Sequence, residues 1–133
     1  MREQISAAIG VVVGCAAYFF GGFDPLLSVF ATILVLDTAT GMLKALNQGK
    51  YESKKFRNGL THKLSYIAGI ILAVQIDILM GGQGVLRDAI ITFFVANEAM
   101  SIMENLGEMG VTFPAIIQNA IKSLREKGNN KGE

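Results

Sequence analysis

Residue types that build enzyme sites are scarce in this sequence of 133 residues. Its single cysteine, Cys15, excludes an internal disulfide and any metal site made from several cysteines. Its single histidine, His62, leaves one imidazole and therefore no histidine cluster. No glycine-rich phosphate loop lies between a predicted strand and a predicted helix. The sequence therefore predicts neither an enzyme nor a bound metal or other cofactor.

Charge is also scarce, because 17% of the residues are charged and 51% are hydrophobic. The formal net charge of +1 gives no support for nucleic-acid binding. Residues 5–23 contain no charged residue, and 64–82 contain only Asp77. A helix of this length spans roughly 28 Å, close to the roughly 30 Å hydrocarbon core of a bilayer. With 26–46 and an amphipathic segment 89–106, the sequence predicts a single all-α membrane domain of about four transmembrane helices, three of them strong.

Half of the basic residues fall in one short segment between two of these spans, and 44–63 is predicted to be a cytoplasmic loop. Its basic residues are Lys44, Lys50, Lys54, Lys55, Arg57 and Lys63. Four spans with both termini in the cytoplasm place eleven of the twelve basic residues inside and leave only Arg87 outside. The alternative of a surface loop in a soluble helical bundle is disfavoured by the length of the apolar flanks.

The C-terminal region is predicted to be less regular. Residues 113–127 have an amphipathic pattern that suits a helix resting on a membrane surface, although a solvated helix also fits. The tail 128–133 is expected to be disordered.

Polar residues at predicted membrane depth are the candidates for lining a pore. They are Asp37, Asp77, Asn97, Glu98, Ser101, Glu104 and Asn105. An ionised carboxylate near a helix centre costs about 2.5–3.5 kcal/mol. Protonation, pairing with Lys44 or Lys63, or assembly around a wet lumen would each relieve this cost. The dense polar face from Asn97 onward favours the lumen, with buried hydrogen bonding between helices as the alternative.

Small residues mark the predicted faces of helix packing. The four candidates are Gly10, Gly14, Gly41 and Gly69. Gly10 and Gly14 are four residues apart on one face of the first span, where they would allow close approach of another helix in lipid. Glycines without a packing role in an apolar helix are the alternative.

Two motifs carry a resemblance to a known family. The stretches DTATGMLKALNQGKYESKKFRNGLTHK and FFVANEAMSIMENLGEMGVTFP resemble the phage-lysis and toxin-secretion holins of Gram-positive phages and clostridia. The matching residues are Asp37, Gly41, Lys44, Ser53, Gly59, Lys63, Asn97, Glu98, Ser101, Glu104, Asn105, Gly110 and Pro114. Family members are often drawn with three spans, which differs from the four predicted here.

The resemblance implies a non-enzymatic holin in the bacterial cytoplasmic membrane. Such a protein forms homo-oligomers in the lipid bilayer and opens lesions that release or activate a phage endolysin, or export a toxin. Two other classes remain open from the residues alone. One is a small ion channel or proton-coupled transporter that uses Asp37, Asp77 and Glu98. The other is a membrane adaptor whose basic segment binds anionic lipid or a protein.

Overall fold

The computed structural model describes residues 1–131, which form five α-helices and, over that range, no strand. The helices are α1 (Arg2–Phe20), α2 (Pro25–Asn47), α3 (Ser53–Leu79), α4 (Val85–Glu108) and α5 (Ala115–Lys131). The predicted all-α class is confirmed. Helices α1, α2 and α3 are long and apolar enough to cross a membrane.

The turn between α1 and α2 follows from local chemistry. Gly21 ends α1 in the left-handed region, with a φ of 73°, which an L side chain rarely adopts. Asp24 then accepts a hydrogen bond of 3.0 Å from the backbone nitrogen of Leu27, and Pro25 occupies the first turn of α2. This combination of an aspartate cap and a proline favours a helix start at this position.

The basic segment is mostly helical, which corrects its prediction as a loop over 44–63. Helix α2 continues to Asn47 and α3 begins at Ser53, so that only 48–52 connects them. Lysine and arginine are good helix formers, and no proline interrupts the segment. The first turns of α3 therefore form a charged helical extension of an apolar span.

Helix α4 lies at the centre of the bundle and packs against α2, α3 and α5. It runs parallel to α2, because Arg87 meets Asp24 where both helices begin and Asn105 meets Thr40 toward the end of both. The apolar core lies between α2, α3 and α4, where Ile70 and Ile91 are fully buried. Helix α4 is not among the three helices long and apolar enough to cross a membrane on their own, but it packs against α2 along most of its length.

Helix α1 is peripheral. It packs mainly against α3, and none of its residues is buried. Its exposed side chains are apolar along most of its length, as a surface in contact with lipid requires.

Helix α5 packs antiparallel along α4, since Arg125 lies near Met100 and Gly128 lies near Phe93 and Ala89. The predicted end of this segment at residue 127 is wrong, because the helix continues through Lys131. Residues 128–131, for which disorder was predicted, are thus part of a helix that packs closely on α4. Residues 132–133 of the predicted tail lie outside the described range.

A candidate functional site: buried ion pairs at two levels of the bundle

Lys63 joins three helices at the level where the apolar core meets the basic segment. Its ammonium nitrogen lies 2.6 Å from a carboxylate oxygen of Asp37 on α2 and 2.5 Å from one of Glu98 on α4. The three side chains are 15%, 13% and 7% exposed, respectively. This single cation therefore offsets part of the desolvation cost of burying two negatively charged carboxylates.

A buried amide extends this network toward the end of α4. Asn105 donates hydrogen bonds of 3.3 Å to Asp37 and 3.2 Å to the hydroxyl of Thr40. The amide nitrogen approaches α2 at Gly41, where an added Cβ would be 3.6 Å away. Ser101 is partly buried and lines a cavity beside the same group. The group Asp37, Thr40, Lys63, Glu98 and Asn105 is called the inner network below.

A second ionic cluster lies at the opposite end of the bundle and is centred on Arg87, which is 5% exposed. Its guanidinium bonds both carboxylate oxygens of Asp24 at 2.6 and 3.0 Å and also contacts Asp88 at 3.0 Å. It donates further bonds to the carbonyl oxygens of Phe20 and Gly22. Arg87 therefore ties the turn between α1 and α2 to the beginning of α4.

The electrostatic consequence is clearest for Asp24, which lies in the turn between the spans. The hydrogen bond from Arg87 is the largest influence that lowers the pKa of Asp24 below its ordinary value of 3.8. The hydrogen bond from the backbone of Leu27 acts in the same direction, while partial burial opposes it. The carboxylate is therefore held ionised down to acidic pH.

Asp77 has a capping geometry at the start of α4. Its carboxylate accepts hydrogen bonds of 3.0 Å from the backbone nitrogen of Leu86 and 2.8 Å from that of Arg87. A carboxylate in this position satisfies amides that have no partner within the helix and interacts favourably with the helix dipole. The buried Asp77 thus has a sufficient structural role in the single chain.

The predicted polar face of α4 divides between the interior and the surface. Glu98 and Asn105 point into the inner network, whereas Glu104 is exposed and Asn97 is partly exposed. Of the three ways considered for relieving the cost of membrane carboxylates, the single chain uses pairing with Lys63 for Asp37 and Glu98. The lining of a lumen by these residues stays a prediction.

The four predicted packing glycines also fall into two pairs. Gly69 contacts α4, because a Cβ there would lie 3.4 Å from side-chain atoms of Ile90 and Phe94. Gly41 likewise faces Asn105. Gly10 and Gly14, in contrast, have nothing within 4 Å of an added Cβ. Within residues 1–131 of one chain, these two positions therefore make no close helix contact.

A cavity of about 560 Å³ opens beside the inner network, between α2, the first turns of α3 and the end of α4. Lys44, Lys50, Lys55 and Lys63 contribute to its lining. At its rim Lys44 lies 3.6 Å from Glu108, which also accepts a hydrogen bond of 3.1 Å from Gln48. The other basic residues of this segment, Lys54 and Arg57, are exposed and do not line the cavity.

Within residues 1–131, no group of three or more histidine, cysteine, aspartate or glutamate side chains has a geometry suited to a metal ion. The carboxylates of the inner network are instead engaged by an ammonium and an amide. The chemistry of this region is thus that of ion pairing and hydrogen bonding between helices.

Sequence reasoning identified Asp37, Glu98 and Lys63 but missed Arg87 and Asp24 as partners. The distribution of basic residues marks Arg87 only as the one outside the predicted cytoplasmic set. The informative signal is that Arg87 and Asp88 precede the predicted fourth span, just as Asp24 precedes the predicted second span. Two helix starts on the same side of a membrane bring such residues to one level.

The fold and these ionic layers define a helical bundle with the apolar outer surface of a membrane protein. The sequence model of the bacteriophage holin family matches residues 14–126, which is most of the chain. The chain therefore belongs to the bacteriophage holin family, whose members are non-enzymatic membrane proteins.

Similar proteins come from a phage and from Gram-positive bacteria. A probable holin of Bacillus phage phi105 is 32% identical over 117 residues, which cover 88% of this chain and 86% of that protein. An uncharacterised protein of Listeria monocytogenes is 36% identical over 116 residues, covering 87% and 83% of the two chains. An uncharacterised protein of Clostridium perfringens encoded beside nagH is 31% identical, with coverage of 83% and 84%. No solved structure matches the chain.

Proposed function

We propose that this protein is a lytic holin that oligomerises in the host cytoplasmic membrane and forms lesions through which an endolysin is released or activated. The observation that carries this proposal is the two-sided character of the bundle. The apolar and largely exposed α1 lies on α3, whereas the charged α5 lies on α4. A subunit with one apolar side and one hydrophilic side suits the wall of a water-filled lesion.

Helix α5 reaches along α4 toward the end of the bundle that lies opposite the basic segment. A Cβ at Gly128 would lie 2.9 Å from the backbone nitrogen of Phe93 and 3.0 Å from the carbonyl oxygen of Ala89. Ala89 is two residues from Arg87, which marks the end of the bundle opposite the basic segment. Helix α5 therefore extends along α4 for much of the membrane depth, although its sequence is far too polar for lipid.

The exposed side of α5 carries several charges at this depth. The charged side chains exposed there are Lys122, Arg125, Glu126 and Lys127. Each would cost about 2.5–3.5 kcal/mol near the centre of a bilayer if lipid surrounded it. Water in the lumen of an assembly removes that cost. Docking of α5 on α4 is thus favoured when several subunits together enclose water.

This coupling supplies a physical reason for a delay before lysis. In a dispersed subunit, α5 stays at the cytoplasmic surface, where its charges remain hydrated. Above a critical density, subunits place their hydrophilic sides together, and each additional subunit removes a further desolvation cost. Assembly is therefore cooperative, and lesions open abruptly rather than in proportion to the amount of protein.

The proposed lumen differs in detail from the polar face read from the sequence. Exposed Glu104, partly exposed Asn97 and the charged side of α5 are its best candidates. Asp37, Asp77, Glu98, Ser101 and Asn105 have partners or positions within one bundle and are assigned to holding each subunit together. Both termini are proposed to be cytoplasmic in the dispersed subunit, in agreement with the distribution of basic residues.

The test is co-expression with an endolysin that lacks any secretion signal. We expect a delay, followed by abrupt lysis and by endolysin activity at the cell wall. Cells that express either protein alone serve as controls: endolysin alone should leave the wall intact, and the holin alone should arrest growth without digesting the wall. Loss of membrane potential with the enzyme still in the cytoplasm would contradict a lesion of this size.

A small ion channel is the second candidate, and the cavity beside the inner network favours it. This cavity is lined by Asp37 and Lys63, so that membrane-embedded charged groups face a space that opens toward the basic segment. Gradual loss of ion gradients, with no release of endolysin at any expression level, would support this candidate. Release of a folded enzyme would exclude it as the complete function.

A further inference from the structure

The cavity between α2, α3 and α4 has a lining that suits one chemical class of ligand. Lys50 and Lys55 both line it, and neither forms an ion pair within the described residues 1–131. The only acid in the lining that is also without an ion pair in that range is Glu52. Lys44 and Lys63 are engaged by carboxylates of their own. The uncommitted charge in the cavity is therefore positive.

The rest of the lining is amphipathic. Tyr51 and Phe56 are 48% and 38% exposed at the mouth of the cavity, and Leu60 follows one helical turn beyond Phe56. Aromatic residues are enriched where the hydrocarbon core meets the head groups, and basic pockets between membrane helices on the cytoplasmic side bind anionic head groups. A ligand with a phosphate and an apolar tail matches both parts of this lining.

We propose that this cavity is a binding site for the phosphate head group of an anionic phospholipid in the cytoplasmic leaflet. Lys50 and Lys55 contact the phosphate, while Phe56 and Leu60 lie against the first part of the acyl chains. The volume of about 560 Å³ is in the range of small-molecule sites, which extends from roughly 300 to 1,000 Å³. A free phosphate would leave the apolar part of the lining without a contact.

The basic segment provides a matched pair of variants for the test. Lys50→Gln with Lys55→Gln removes two charges that line the cavity, whereas Lys54→Gln with Arg57→Gln removes two exposed charges that do not. Both doubles lower the net charge by the same amount. If the site lies in the cavity, only the first double variant should bind the lipid more weakly. If the attraction to anionic lipid is diffuse, both double variants should bind equally weakly.

The measurement is binding of a fluorescent phosphatidylglycerol to the purified full-length protein in neutral detergent. We expect saturable binding that unlabelled phosphatidylglycerol displaces and that phosphatidylcholine and glycerol 3-phosphate do not. A contribution of about 1 kcal/mol per lysine predicts a loss of affinity of roughly thirtyfold for the cavity double and less than about twofold for the control double.

Three results would overturn the site. Equal losses in the two doubles would show diffuse electrostatics, and displacement by phosphatidylcholine would show that the head-group charge is not recognised. Displacement by glycerol 3-phosphate at similar concentration would show a site for free phosphate. The competition by phosphatidylcholine and by glycerol 3-phosphate is measured on the unmodified protein. These two results can therefore contradict the proposal even if a variant fails to fold.

Discussion

Lys63 of α3 and Asp37 of α2 are 26 residues apart in the sequence, yet a nitrogen and an oxygen of their charged groups lie 2.6 Å apart inside the bundle. Glu98 approaches the same ammonium from α4. A single lysine therefore holds three helices together where the apolar core gives way to the basic segment. This contact explains how two carboxylates reside in a helical bundle of predominantly apolar surface.

Replacement of Lys63 by methionine is expected to destabilise the folded protein. The change keeps a long side chain but leaves Asp37 and Glu98 without their cation, and loss of one partner from a buried ion pair typically costs about 3–5 kcal/mol. Denaturant titration of the purified protein in detergent measures the loss. Lys54→Met is the control, because Lys54 is exposed and should change stability by less than about 0.5 kcal/mol. Similar stabilities for the two variants would show that the inner network does not stabilise the subunit.

Arg87→Lys should weaken the opposite end of the bundle despite retaining the positive charge. Lysine cannot reproduce the paired bonds to Asp24 together with the bonds to Phe20 and Gly22. We expect a loss of at least about 2 kcal/mol in the same denaturant titration. Arg57→Lys, at an exposed position without an ion pair in the described range, provides the matched control and should be near neutral. A neutral Arg87→Lys would mean that point-charge attraction alone fixes this turn.

The pH dependence of stability should include a contribution from Asp24. Because its pKa is lowered in the folded protein, the contribution is fully present above the ordinary value of 3.8 and is lost as pH falls through the lowered value. Asp24→Asn removes this dependence. Thermal unfolding of both proteins between about pH 6 and about pH 3, which brackets the ordinary aspartate value, should show their stabilities converging on acidification. A constant difference across that window would contradict the assignment.

Gly128→Leu is expected to separate α5 from α4 without preventing membrane insertion. The new side chain would meet backbone atoms of Phe93 and Ala89, which cannot move aside as a flexible side chain can. Lysis with a co-expressed endolysin should be delayed or lost, while the amount of protein in the membrane fraction stays the same. Gly107→Leu makes the same replacement where an added Cβ meets nothing within 4 Å, and it should lyse normally. Normal lysis by Gly128→Leu would show that docking of α5 is dispensable.

The positions of the helices were largely predictable because their signals are local. Uncharged runs, together with Gly21, Asp24 and Pro25 between the first two of them, indicate where spans begin and end. The basic segment was harder to interpret, since a cluster of lysines predicts a location in water but does not distinguish a loop from a helical extension of α3. Positive charge and helix formation are compatible there.

The contacts between helices were less predictable because they join residues that are distant in the sequence. Glu98 and Lys63 are 35 residues apart, and the sequence offered pairing as one of several ways to relieve buried charge. Arg87 and Asp24 are 63 residues apart, and no local pattern in the sequence links them. The amphipathic pattern of α5 revealed an apolar face but not its partner. All of these contacts involve α4, so they depend on how α4 is positioned along its neighbouring helices, which no short stretch of sequence specifies.

The central claim is that α5 docks on α4 when the assembly encloses water. The most direct test follows the contact between the two helices over time during expression. In a Cys15→Ser background, Met100→Cys and Arg125→Cys place one thiol on each helix, at positions where the native guanidinium and thioether lie 3.9 Å apart. A short, membrane-permeant bifunctional thiol reagent is added at intervals before and after the onset of lysis. We predict that the intrachain crosslink is sparse while the protein is dispersed and rises sharply at the onset. A crosslink that is complete well before the onset, or that never forms, would contradict the claim.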